Sequence, residues 1–169
     1  MTTTMTINDR LVELGVLGNQ KDKTIQRAGA MLVDEFFQTF NKEVDEDTTV
    51  ALLHYLTDIQ VRDFALGILD KYETKPTLAG LNYLLDKAPT DTAYINAPAC
   101  LLATFLYERG DSASAAITLS NAQHHYPLAI LLNRVMKAGW PASSFAAMRT
   151  DIHPKVEAGI FGEQADDQA

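Results

Sequence analysis

One thiol, four imidazoles and a set of carboxylates are the side chains of this sequence with the most chemistry to offer. Cys100 falls in the first turns of a helix expected after Pro98, where a helix N-terminus can lower a thiol pKa. A nucleophilic thiol also needs a base. The neighbours Ala99, Leu101, Leu102 and Ala103 instead describe a buried packing position. The histidines are His54, His124, His125 and His153. His124 and His125 are adjacent, so on a helix they point about 100° apart and cannot chelate one metal well. No His-Glu-x-x-His, paired Cys-x-x-Cys or acidic calcium loop occurs. Gly15 and Gly18 in LGVLGNQKDK lack the strand and the lysine–threonine pair of a phosphate-cradling loop. The expectation is a chain with no catalytic residues, no metal and no cofactor, and no enzymatic activity of its own.

The best candidate polar site opens at Arg62 and Asp63, with Glu108, Arg109 and Asp111 around a turn further on. Two readings compete. The arginine–carboxylate pair either tethers helices to one another, the favoured reading, or contacts a ligand or partner. Trp140 follows the helix stop Gly139 and precedes Pro141, where packing is favoured over a role as an interface anchor.

Charge is unevenly placed. The net charge is −8, from 22 acids against 14 bases. Residues 34–70 hold nine acids against Lys42 and Arg62, for a net of −7. No basic stripe exists to displace counterions from nucleic acid, so direct nucleic-acid binding is not expected. The acidic excess reads first as a solubilising face. It could also oppose a basic partner. Asp58, Asp63 and Asp70 are the candidate contacts, because Asp63 and Asp70 lie two helical turns apart.

These side chains must be positioned by helices. With 169 residues and 47% hydrophobic content, the chain can bury a core of its own. One cysteine excludes an internal disulfide, and the start MTTTMTINDR does not read as a secretory signal. No apolar run approaches the ~20 residues that span a bilayer. Nearly every segment carries helical spacing, as in Ile25, Ala28, Leu32, Phe36 and Phe40. Asn8, Asp22 or Thr24, Asp47 or Thr48, and Asp58 are the expected caps of the first helices. Pro76 and Thr77, then Asn96 to Pro98, Ser112, Pro127 and Pro141 start the later ones. The helix from Ser112 is expected to end near His124 or His125, and Pro141 to begin one more short helix. The fold class is therefore all-α, a compact bundle of seven to nine short helices. A single helical domain covers residues 1–160, and residues 161–169 form a disordered acidic tail.

Residues 96–129 resemble one tetratricopeptide-like helical hairpin. Leu102, Ala103 and Leu106 match its first helix, Gly110–Asp111 its turn, and Ala115, Leu119 and Ala122 its second helix, with Pro127 ending the unit. The usual first aromatic is Ala99 here, and no second copy follows, so a peptide-binding repeat array is not expected. A longer stretch, about residues 50–148, resembles the C-terminal helical half of the actinobacterial family called domain of unknown function 4192. Val61-Arg62-Asp63, Arg109-Gly110-Asp111, Leu128-Ala129, Leu131-Leu132, Ala138-Gly139 and Pro141 carry the likeness. Members of that family begin with a β-containing portion bearing a glycine–phenylalanine motif; here about 45 helical residues stand in its place. The resemblance implies the helical fold and names no activity.

The function expected on these grounds is a non-enzymatic, cytoplasmic protein-interaction module, an adaptor or regulator. Its partner would be another protein or a second copy of the chain, with no membrane involved. Phe36, Phe37 and Phe40 are its candidate contacts, because a small bundle rarely buries three such rings from one helix. The alternative is an acidic inhibitor that mimics DNA charge, using Asp58, Asp63 and Asp70 to block a nucleic-acid-binding protein.

Overall fold

The computed structural model describes residues 4–41 and 43–166. These residues form nine α-helices and one short 3-10 helix, with no strand among them. The helices are α1 (Ile7–Leu14), α2 (Lys23–Thr39), α3 (Glu46–Tyr55), α4 (Ile59–Gly67) and α5 (Thr74–Lys87). The 3-10 turn Ala93–Ile95 then leads into α6 (Asn96–Glu108), α7 (Ser112–Leu119), α8 (Pro127–Lys137) and α9 (Ala142–Asp166).

Caps fix most of the starts. Asp22 accepts the Thr24 N–H at 2.9 Å, and Asp58 caps α4 through Gln60 and Val61. Two caps differ from expectation. Thr6 rather than Asn8 opens α1, because Thr6 and Asp9 exchange backbone and side-chain bonds as a capping box. Asp45 rather than Asp47 or Thr48 opens α3, taking both the N–H and the hydroxyl of Thr48 at 2.8 Å. Helix α7 also stops early, at Leu119. Ser120 and Asn121 turn their side chains back onto the carbonyls of Ile117 and Thr118, and Gln123 is drawn away by a two-way bond to Asn96.

Helix α6 is the axis of the molecule. Nearly every one of its residues is buried, as a helix apolar all round must be. One side, with Leu101, Leu102 and Phe105, completes a core built on α1–α5. The other side, with Ala99, Cys100, Ala103 and Tyr107, faces α7, α8 and Phe145. Gly110, at φ +86°, supplies the left-handed step that folds α7 back against α6.

The expected short last helix is a long one. α9 runs through Pro154 to Asp166, and so includes residues 161–166 of the stretch read as a tail; positions 167–169 lie outside the described residues. The proline is tolerated because both flanks are anchored. Phe145 is buried in the second core before it, and Val156 and Ile160 in the first core after it. α9 is therefore a strap across both cores.

Candidate functional site

The polar residues singled out in the sequence are brought into use by the fold. Asp58 is fully buried. Besides its cap bonds it accepts the Gln20 N–H at 3.0 Å and faces the amide of buried Gln26 at 3.4 Å. It thus pins the α1–α2 connection to the start of α4, aided by backbone bonds from Gly18 to Thr57 and from Ile59 to Gly18. Arg62 donates to Asp63 through Nε and Nη2, at 2.9 and 2.7 Å, and through Nη1 to the Tyr126 hydroxyl at 3.1 Å. Its guanidinium also lies over the Tyr126 ring, 5.5 Å from the centroid. Burial works against the Arg62 charge, but Tyr126 and Asp63 outweigh it and leave the pKa raised. Arg62 is a link from α4 to the turn before α8.

A second network takes in Glu108, Arg109 and Asp70, and its central residue, Arg149, was not legible in the sequence. Arg149 of α9 is 3% exposed and its partner Glu108 6%. Arg149 donates to Glu108 at 2.8 and 3.0 Å, to the Leu66 carbonyl at 2.8 Å, and to Asp70. Asp70 also accepts from Arg109 at 3.1 Å, and Arg109 stacks on the Phe105 ring. One guanidinium therefore joins α9, the end of α6 and the end of α4. The only sequence signal is spacing: Phe145, Arg149, Val156 and Ile160 lie on one helical face, so an arginine occupies a core position.

As an acidic-mimic contact Asp58 is corrected by its burial, and Asp63 and Asp70 are paired within the chain. Asp58 has no exposed surface, Asp63 is held by Arg62, and Asp70 is shared by two arginines. A row of free carboxylates does not form from them. As partner contacts Phe36 and Phe37 are corrected too. Phe36 and Phe37 are buried within the chain's own core, and Phe40 is half-buried beside them. Gly80 makes room, since a Cβ there would stand 3.1 Å from the Phe36 ring. The bundle buries what one helix was expected to leave exposed, which removes the motive for self-association through α2.

Cys100 is fully buried, and burial pushes its thiol up to about 12 despite the nearby Arg62 charge. It is a neutral thiol at physiological pH, not a nucleophile. His54 contacts the Gly15 carbonyl at 3.0 Å, His124 and His125 are exposed in a turn, and His153 meets Glu157 at 3.0 Å. Among the described residues no three His, Cys, Asp or Glu side chains are grouped to hold a metal ion. No helix among them is long and apolar enough to cross a membrane. The Trp140 ring stays half exposed; the residue is held by its backbone, whose carbonyl accepts from the Tyr107 hydroxyl.

Among the surface clefts of the described residues, two are lined by large apolar side chains from neighbouring helices. The first, about 200 Å³, lies between α8, α9 and the Arg62–Leu66 face of α4. Gly139, at φ +66°, turns the chain between α8 and α9. Leu128 and Leu131 line one side, Phe145, Met148 and Ile152 the other, and Arg62 with Asp63 sits at the edge. The second, about 270 Å³, lies between the end of α2 and the start of α3. Its floor is Leu32, Phe36, Phe40 and Val44, and its rim carries Glu35, Glu43 and Asp45.

An all-helical bundle threaded on one buried helix is the class of protein that the fold defines. The chain belongs to the family described as a domain of unknown function (DUF4192), whose model matches residues 5–143. The match takes in α1 to α3, so the family likeness begins well before residue 50 and covers the helical segment that seemed to replace part of it. No curated protein and no solved structure matches the chain.

Proposed function

We propose that this chain is a non-enzymatic helical docking module, an adaptor or regulator, which receives an amphipathic helix of a protein partner between α8 and α9. The observation that carries the reading is the exposure of Leu131 (45%) and Ile152 (49%) in the same cleft. A cleft of this size takes one or two large apolar side chains, the anchors by which a helix settles into a groove. The polar edge at Arg62 and Asp63 is already paired, so it offers orientation rather than reactivity. A cytoplasmic setting accords with a single reduced Cys100.

The test is capture of partners from native lysate by the intact chain and by a Leu131→Glu/Ile152→Glu variant. Both side chains are half exposed, so the variant keeps its fold, which circular dichroism checks. The expected result is a specific partner retained by the parent and lost by the variant. A partner bound equally by both, or none at low salt, counts against the module.

A further inference from the structure

The acids of residues 34–70 separate into two groups once their partners are known. Six are occupied by the fold. Asp34 takes Lys71 and the Tyr72 hydroxyl, at 2.9 and 2.8 Å. Glu46 and Asp47 share Arg10, at 3.3 and 2.7 Å. Asp58, Asp63 and Asp70 are held as described above. The other three, Glu35, Glu43 and Asp45, pair with no cation among the described residues, and all three line the cleft between α2 and α3.

The rim thus carries three carboxylates with no cation partner among the described residues, beside the rings of Phe36 and Phe40. Phe36 and Phe40 lie 5.2 Å apart, and Tyr83 backs Phe40 at 5.6 Å. Asp45 stays ionised, because hydrogen bonds from the Thr48 N–H and hydroxyl hold its carboxyl below the usual range. The three carboxylates are not grouped closely enough to hold a metal ion. They repel phosphates and nucleic acid. A long cationic side chain meets both demands, with its stem on the rings and its charge at the rim.

We propose that the α2–α3 cleft binds a basic, arginine- or lysine-bearing segment of a protein partner, through apolar contact with Phe40 and Leu32 and ion pairs to Glu35 and Glu43. This surface is separate from the α8–α9 cleft, and its test is independent of that reading.

The experiment titrates the intact chain with a fluorescent Arg-Leu-Arg-Leu-Arg peptide at low salt. An Arg-Ser-Arg-Ser-Arg peptide of equal charge is the comparison. Glu35→Gln/Glu43→Gln should weaken the leucine-bearing peptide by about tenfold. Glu13→Gln/Asp151→Asn removes the same net charge from exposed positions elsewhere and should cost less than about twofold. The serine peptide should bind about tenfold more weakly than the leucine one. Leu131→Glu/Ile152→Glu should leave the titration unchanged. Equal loss in the two acid-to-amide variants would show attraction to net charge alone and overturn the proposal. So would equal binding of the two peptides, displacement by spermidine as effective as by unlabelled peptide, or the absence of saturable binding.

Discussion

The two cores on either side of α6 are built from different materials. The first holds Phe36, Phe37, Phe64, Phe105 and many leucines, drawn from α1–α6 and the end of α9. The second holds Ala99, Cys100, Ala103, Ala115, Ala122 and Ala129, with Tyr107, Leu119, Leu128, Leu132, Val135 and Phe145 as its larger members. Large side chains remove more apolar area from water and fill the space between helices, so the first core closes around itself. Small side chains let α7 approach α6 closely but supply little volume further out. The cleft lined by α4, α8 and α9 lies on this side of the molecule.

α9 is what ties the thin half to the thick one, and Arg149 is its central bond. The largest effect is therefore expected from Arg149→Met, which leaves Glu108 buried without its cation. The loss should be about 3–5 kcal/mol in a urea titration. Adding Glu108→Met should recover a large part of it, because it removes the one buried charge left without a partner and puts an apolar pair in its place. A loss below about 1 kcal/mol for the single variant would mean that the two halves do not depend on this seam.

Gly67→Ala should come next. A Cβ at Gly67 would stand 1.8 Å from Nδ1 of His153, so the strap must lift from the end of α4. The expected cost is about 1–3 kcal/mol, and His153→Ala in the same chain should relieve it. Thiol labelling of Cys100 reports where the damage goes. If the second core opens alone, labelling should accelerate before the first core unfolds. Simultaneous changes would make the two cores one cooperative unit.

Much of this arrangement was legible in local patterns, and the exceptions share a cause. The α6–α7 hairpin is visible because Gly110, the small residues and Pro127 are close together in sequence. Asp22 and Asp58 announce their helices because a cap acts within three residues. Arg149 is not announced, since its carboxylate lies 41 residues away and a lone arginine on a helix ordinarily reads as solvated. Pro154 reads as a terminator, and only the buried Val156 and Ile160 beyond it explain why α9 continues. Phe36 looked surplus because the space for it comes from Gly80 on another helix. Both clefts are likewise made between helices, where no single segment carries their signature.

A smaller effect, of opposite sign, is expected on α6 itself. Thr104 is fully buried and its hydroxyl has no hydrogen-bond partner. It stands between Ala103 of one core and Phe105 of the other. Thr104→Val keeps the shape and removes the unsatisfied group, so stability should be unchanged or rise by up to about 1 kcal/mol. A clear loss in urea titration would indicate that the hydroxyl is satisfied in solution.

The smallest expected effect separates the charged edge of the seam from its buried centre. Asp70 is 56% exposed, although it shares Arg149 with nearly buried Glu108. Burial pushes the Asp70 carboxyl up, but the bonds and charges of Arg149 and Arg109 outweigh it and hold it below the usual carboxylate range. On acidification the unfolded chain therefore takes up this proton before the folded one does. The contribution of Asp70 is complete above the unfolded value, about pH 4, and is lost as the pH falls through the lower folded value. Asp70→Asn keeps an acceptor for the arginines and removes the titration. It should shift stability at neutral pH by no more than about 1 kcal/mol, since exposed ion pairs contribute little. Below about pH 4 it should flatten the decline of the urea midpoint, and added salt should shrink the difference from the parent. An unchanged acid slope would assign the decline to the first half, where Asp9 and Asp45 also sit below the usual range through bonds from Thr6 and Thr48. A flattened slope would place part of the acid sensitivity at the strap, which with α6 contributes to both cores.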